Sequence, residues 1–477
     1  MEQVKHKRSG ATAAILKVMG VFSGVQVVTI LCSVVRTKLV ALWVGAAGVG
    51  LSGIFYSALE MLGALTTLGI GASSIRDIAS ADGSEKRLTA AVTLRWGVVL
   101  GLLGAVVMLA AAPLLSDYSF GDSAHTSDFL MLAVCMALNA MAATNLAVLQ
   151  GFKCYRNLAR ASIGGAAGGL IVSAPLYYFL GIAGIVPALI GFSVVNFVAA
   201  RVNRARIDGA APSRREMWLK GRSMLRLGAY MTATGFISYL VNYIFLSWLN
   251  LRADVETVGY YQAGFTLFNR YAGLIFTAIT VEYYPRLASV SLKPRSMSVF
   301  VNHEATLLML MLLVIVPVFI LCAPLLIMIL YSAEFMVMLP LVITGITGTV
   351  FRALSWSMSY TILARGDGRR FLLTEIVSAA TCLALNIGGW LTGGLAGLGV
   401  SYILWYAIYS AIVGAVYRGI YGMRMRRSVL WLTAGVFGIC ALSAAVALLT
   451  PWWWLNITVA GGCVMLGLKR LLKLYRR

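Results

Sequence analysis

The chain has 477 residues, of which 60% are apolar and only 12% charged, and its mean hydropathy is +0.86. That composition excludes a soluble globular domain and a disordered chain, and places the sequence in a lipid bilayer. A net charge of +22 would suit a nucleic-acid binder in a soluble protein, but here the positions of the charges argue for a membrane instead.

Fourteen apolar stretches are long enough, at about 20 residues each, to cross a hydrocarbon core of about 30 Å as helices. They run over 11–36, 41–71, 91–112, 128–150, 161–180, 184–200, 227–250, 258–284, 303–330, 340–364, 371–392, 395–417, 429–450 and 454–469. The first follows the basic run Lys5-His6-Lys7-Arg8, but it is too long for a secretory signal and lacks a small-residue cleavage site, so it is expected to be a retained helix. Of the 39 Lys and Arg, 32 fall in the two termini and in every second connection. The opposite connections hold Arg36, Lys38 and Arg252 and are otherwise acidic, with Asp117, Asp122, Asp128, Asp254, Glu256 and Glu334. By the positive-inside rule the basic segments, and with them both termini, are cytoplasmic. In a bacterium this describes a multi-pass protein of the cytoplasmic (inner) membrane. The tracts Arg214-Arg215 and Arg424, Arg426, Arg427 then serve orientation and contact with anionic bilayer lipid rather than nucleic acid. Trp452-Trp453-Trp454 has the character of an interfacial belt on the outer side.

Enzymatic chemistry finds no support. The seven cysteines form no CxxC pair, and His6, His125 and His303 lie in three separate regions, so neither disulfides nor a metal site are expected. No Gly-rich phosphate loop, nucleophile elbow or carboxylate pair occupies a loop, and no cofactor is implied.

An internal duplication organises the spans. Ser52, Tyr56, Glu60, Gly63 and Thr67 recur 210 residues later as Gln262, Thr266, Arg270, Gly273 and Thr277. Spacings of 4, 4, 3 and 4 put each set on one face of a helix. Arg76 and Arg286 keep the same offset, while Gly181-Ile182-Ala183-Gly184 and Gly394-Leu395-Ala396-Gly397 are related by 213. The expected fold is therefore an all-α polytopic membrane protein of about 14 transmembrane helices, with two pseudo-twofold-related six-helix halves and two C-terminal helices. The corresponding segments are 1–210, 211–425 and 426–477. Since six is even, the halves are parallel about an axis along the membrane normal, and a cavity between them is the expected substrate site.

Polar positions within the spans supply the candidate site. An arginine in mid-span costs at least about 2.5 kcal/mol, so Arg270 and Arg352 require a counter-charge, water or an anionic ligand. Glu60, equivalent to Arg270 in the duplication, is a candidate counter-ion for it, either as a permanent ion pair or displaced when ligand loads. Further stripes are Gln26, Thr29, Ser33 and Arg36 in the first span; Thr234, Ser238 and Asn242 in the seventh; and Arg352, Ser355 and Ser359 in the tenth. Lys17, Arg36 and Arg95 lie near enough to a span end to snorkel. Ser, Thr and Asn in such stripes also serve as interhelical glue, and the glycines 164, 165, 168 and 169 as a close-packing face. A cavity with more fixed cations than carboxylates favours an anionic solute, and the guanidinium fork suits phosphate oxygens.

Four motifs then carry a family resemblance: Gly45-Ala-Ala-Gly-Val-Gly-Leu-Ser-Gly53, Leu68-Gly-Ile-Gly-Ala-Ser-Ser-Ile-Arg76, Leu149-Gln-Gly-Phe-Lys153 and Val258-Gly-Tyr-Tyr-Gln262. In their order and positions the chain resembles the Wzx-type O-antigen and polysaccharide flippases of the multidrug/oligosaccharidyl-lipid/polysaccharide exporter superfamily. The resemblance implies a cargo of undecaprenyl-pyrophosphate-linked oligosaccharide, moved from the cytoplasmic to the periplasmic leaflet by alternating access, with polysaccharide polymerase machinery as a partner. On that reading Arg270 and Arg352 bind phosphate, and Gln26, Ser33, Tyr56, Asn242 and Gln262 offer hydrogen bonds to sugars, with Arg36 at the edge of the same set. A lipid II flippase for peptidoglycan is the nearest alternative. A cation-coupled multidrug exporter is disfavoured because the first span holds no carboxylate between Ala11 and Arg36. A scaffold or polymerase is disfavoured by the duplication and by the shortness of the longest outer loop, about 113–127.

Overall fold

The computed structural model describes residues 24–205, 207, 212–450 and 453–475, and all regular structure among them is helical. The Lys5–Arg8 tract, the start of the first span with Lys17, and Trp452 lie outside the described residues. The helices are α1 (Gly24–Trp43), α2 (Gly45–Thr67), α3 (Ile70–Ser80), α4 (Gly83–Phe120), α5 (Thr126–Gly151), α6 (Tyr155–Leu180) and α7 (Ile185–Val202). They continue as α8 (Arg214–Arg252), α9 (Val255–Ser289), α10 (Pro294–Leu330), α11 (Leu339–Ala364), α12 (Gly368–Ala415), α13 (Arg427–Leu449) and α14 (Trp453–Tyr475).

Among the described residues ten continuous helical stretches are long and apolar enough to cross a membrane, which makes this a multi-pass membrane protein. Two of the ten contain two arms: Tyr155–Val202 comprises α6 and α7, and Gly368–Ile420 is broken at Gly393 and Gly394. α9 is less apolar because it carries Gln262, Asn269, Arg270 and Glu282. Each expected span, in its described part, falls on its own helical arm except 41–71, which begins in the last turn of α1 and is broken at Leu68 and Gly69, both left-handed, before it enters α3. One end is corrected: Arg36 and Lys38, assigned by sequence to an outer connection, lie inside α1, which continues to Trp43. The Arg36 guanidinium lies over the Phe192 ring of α7, 4.2 Å from its centroid, so the charge is held against the protein.

The chain forms two compact units, Met1–Gly259 and Tyr260–Arg477. In the first, α4 packs along α5, α6 along α7, and α8 against α2, α3 and α4. α6 meets α7 through its glycine face, where a Cβ at Gly165 would stand 2.2 Å from Asn196 Oδ1 and one at Gly169 2.3 Å from the Phe192 ring. Without a hydrophobic drive between helices in lipid, such backbone approach is what makes the packing tight. α8 starts well before its apolar stretch, in a capping box: the Glu216 amide donates to Ser213 Oγ (3.2 Å) and the Ser213 amide to Glu216 Oε2 (2.8 Å). The Ser213 amide and hydroxyl hold the Glu216 carboxyl below its ordinary range. Trp96 Nε1 donates to the Met217 carbonyl (2.9 Å), which fixes this first turn against α4.

In the second unit α11 packs along α12, and α10 contacts α11, α13 and α14. The two arms of α12 fold back on one another, since a Cβ at Gly397 would stand 2.0 Å from the Gly389 carbonyl oxygen and Ser401 Oγ donates to the Leu385 carbonyl at 2.6 Å. Asp367 caps the N-terminus of α12, accepting from the Arg370 amide (3.3 Å).

Candidate functional site

The two copies of the repeated stripe have the same local structure. Thr67 Oγ1 donates to the Gly63 carbonyl (2.7 Å), and Thr277 Oγ1 to the Gly273 carbonyl (2.9 Å). A Cβ at Gly63 or Gly273 would meet nothing within 4 Å, so each copy presents an open face at that turn. Along the first stripe Tyr56 is exposed and Glu60 half-buried; along the second Gln262 is half-buried and Arg270 exposed. The matched arginines beyond them bind different acids: Arg76 pairs with Asp77 (2.9 Å), and Arg286 with Glu282.

Arg352 is the centre of a cluster in the second unit. From α11 its Nη1 donates to Asn269 Oδ1 (2.6 Å) on α9 and to the Tyr402 hydroxyl (3.2 Å) on α12. Its guanidinium also lies 5.0 Å from the Phe276 ring centroid and 5.8 Å from that of Tyr406. Tyr402 is buried and packs edge-on against Phe268, with centroids 4.9 Å apart. Every partner of Arg352 is neutral, and no carboxylate oxygen among the described residues lies within 4 Å of it. Its hydrogen bonds all leave from Nη1, so Nε and Nη2 make none to the described protein. The result is a fixed cation in a membrane span, oriented by an amide, a phenol and aromatic faces, that retains donors for an anion.

The remaining sequence candidates lie on α1, α2 and α8 in the first unit and on α9 and α11 in the second. Gln26 lines a cavity of about 250 Å3 together with Gln150, Tyr155 and Ser162. Thr29 Oγ1 donates to the Gln26 carbonyl, and Thr37 Oγ1 to that of Ser33, so the stripe of α1 is partly engaged with its own helix. The same holds for the other stripes: Ser238 Oγ bonds the Thr234 carbonyl and Ser355 Oγ that of Arg352, one turn back in each case. Asn242 is half-buried on α8. Reading by sequence missed Asn269, Phe276, Tyr402 and Tyr406. The available signal was the run Tyr402, Trp405, Tyr406 and Tyr409, whose spacings of 3, 1 and 3 place an aromatic stripe on one side of α12.

A model of the polysaccharide biosynthesis protein family matches residues 15–291. The chain belongs to that family. Solved structures extend the family assignment to the fold. This family member is similar to the lipid II flippase MurJ in an inward closed conformation, with 11% identity over 96% of this chain and 99% of that one and a TM-score of 0.70. It is also similar to an inward-facing multidrug resistance MATE family transporter of the MOP superfamily, with 14% identity over 83% and 94% of the chains and a TM-score of 0.67. A MOP superfamily transporter from Pyrococcus furiosus, described as having a binding pocket of reversed polarity, matches with 15% identity over 85% and 96% and a TM-score of 0.59. At these identities the likeness establishes the fold, that of MOP-superfamily transporters and flippases. No curated protein matches the chain.

Proposed function

We propose that this protein is a flippase for an undecaprenyl-pyrophosphate-linked oligosaccharide, an O-antigen or related surface-polysaccharide repeat unit, carried from the cytoplasmic to the periplasmic leaflet of a bacterial inner membrane. Membership of the polysaccharide biosynthesis family supports the cargo class. The observation that carries the reading is Arg352, a mid-span guanidinium held by neutral groups with Nε and Nη2 unbonded. A cation so placed favours a phosphate and disfavours the cationic drugs that a carboxylate-lined exporter would attract. Arg270, exposed on α9 beside Asn269, is the second phosphate ligand on this reading. Gln262 and, in the first unit, Gln26, Ser33, Tyr56 and Asn242 are the candidates for sugar hydroxyls, with Arg36 committed to Phe192.

A lipid II cargo is the second reading, favoured by the nearly complete coverage of MurJ. Complementation separates the two. The gene is expressed in one strain lacking its O-antigen flippase and in another depleted of its lipid II flippase, with surface polysaccharide and survival scored respectively. Restored surface polymer without rescued survival supports the oligosaccharide cargo; rescued survival moves the cargo to the peptidoglycan precursor.

A further inference from the structure

Away from the Arg352 cluster, the second unit contains a groove of about 590 Å3 bounded by α11, the second arm of α12 and the start of α13. Its wall is apolar, including Leu354, Met358 and Leu430, and Arg418, Arg424 and Arg427 line the same groove. All three arginines are exposed, and none has a carboxylate oxygen within 4 Å among the described residues. α13 begins at Arg427 and its N-cap, Arg426, supplies no side-chain cap, so the positive end of the helix adds to the same charge.

Two further observations show that the groove is a preformed part of the fold. Tyr417 lines it with 1% of its surface exposed, so that wall is closely packed. The arginine-bearing segment is also fixed in place: the Arg424 carbonyl accepts from Ser298 Oγ (3.0 Å) and Asn302 Nδ2 (3.2 Å), and the Arg426 amide donates to Asn302 Oδ1 (2.7 Å). A free phosphate would satisfy the arginines and leave the apolar wall uncovered. An acyl chain alone would leave the cations unpaired.

We infer that the groove holds an anionic phospholipid of the bilayer. Its phosphate sits at Arg424, Arg427 and the N-terminus of α13, and one acyl chain lies along the apolar wall. The positive-inside rule places these arginines at the cytoplasmic face, so the lipid comes from that leaflet. The inference does not depend on the identity of the transported cargo.

Native mass spectrometry of the full-length protein in detergent tests it, with phosphatidylglycerol or phosphatidylcholine of identical chains added and the retained lipid counted. The protein is expected to retain phosphatidylglycerol in preference to phosphatidylcholine. Arg424→Gln with Arg427→Gln is expected to weaken retention by roughly fivefold per arginine. Gly414→Leu is expected to remove the same adduct by filling the groove without altering its charge, since a Cβ at Gly414 has only Met358 atoms near it, at 3.9 Å. Thermal melts of each variant identify any that misfold, and the double arginine variant, altered only at exposed positions, remains informative if the leucine variant fails. Unchanged phosphatidylglycerol retention in the arginine variant overturns the inference. Displacement by inorganic phosphate at equal concentration overturns it in favour of a free-anion site, and displacement by undecaprenyl pyrophosphate in favour of a path for cargo.

Discussion

Gly181 and Gly394, 213 residues apart, share one backbone conformation: φ +57 and ψ −129 at the first, φ +56 and ψ −138 at the second. Each turns one long helix into the next, α6 into α7 and the first arm of α12 into the second. The duplication read from Gly181-Ile-Ala-Gly184 and Gly394-Leu-Ala-Gly397 is thus repeated in dihedral angles that essentially only glycine adopts.

Substitution at this turn should therefore destabilise both copies. Neither glycine is crowded, yet Gly181→Ala and Gly394→Ala are each expected to cost about 1–3 kcal/mol through backbone strain. Gly63→Ala and Gly273→Ala, inside helices and facing open space, are expected to leave stability unchanged or raise it by up to about 1 kcal/mol. Melting temperatures in detergent distinguish the two classes, and equal melting of all four variants would remove the strain argument.

For Arg352 the neutral cage makes a specific prediction. Arg352→Gln is expected to lower polymer export by roughly tenfold or more, the factor that about 1.4 kcal/mol of lost pairing produces. Arg352→Lys is not expected to rescue it, because an ammonium has neither the planar stacking on Phe276 and Tyr406 nor the fork that leaves Nε and Nη2 for an anion. Surface polysaccharide in the complemented strain, normalised to protein in the membrane, is the readout. Full rescue by lysine would reduce the site to a point charge.

Arg270 behaves differently because it is exposed on α9 and can meet ligand as a charge alone. Arg270→Ala is expected to lower export by roughly tenfold, and Arg270→Lys to recover most of it. Normal export from well-expressed Arg270→Ala protein would exclude this residue from the cargo site.

The cap of α12 gives a pH dependence. Slight burial alone would raise the Asp367 carboxyl, but donors from the Arg370 amide and guanidinium and the Tyr421 hydroxyl outweigh it and hold the carboxyl below its ordinary range. A carboxyl depressed in the folded state stabilises above its unfolded value of about 3.9, and that contribution is lost as pH falls through the folded value. Asp367→Asn, which keeps an N-cap acceptor and removes the titrating carboxylate, is expected to flatten the acid limb of a melting-temperature profile. Identical acid limbs in the two proteins would contradict the assignment.

The spans were legible because apolar length is a local property, and the repeat because spacing is. Helix starts were less so. Ser213 and Glu216 form a capping-box motif in plain view, but the apolar stretch begins at about 227, and hydropathy marks where a helix enters lipid, not where its first turn forms. The cluster around Arg352 was half legible. The cost of a mid-span guanidinium indicated that it needs partners, but Asn269 and Tyr402 come from positions 83 and 50 residues away, and nothing local names them.

The sequence by itself determined that this chain crosses a membrane many times as helices and is internally duplicated. In lipid each backbone polar group must be satisfied within its own segment, so composition and period suffice. Only the tertiary structure decided the fates of three arginines in similar apolar settings. Arg36 lies over Phe192, Arg352 is caged by Asn269, Tyr402 and aromatic rings, and Arg270 is exposed. Periodicity specifies the angle at which a side chain leaves its own helix, whereas the group it meets depends on which other helix packs there, and that is set by contacts between residues far apart in the chain.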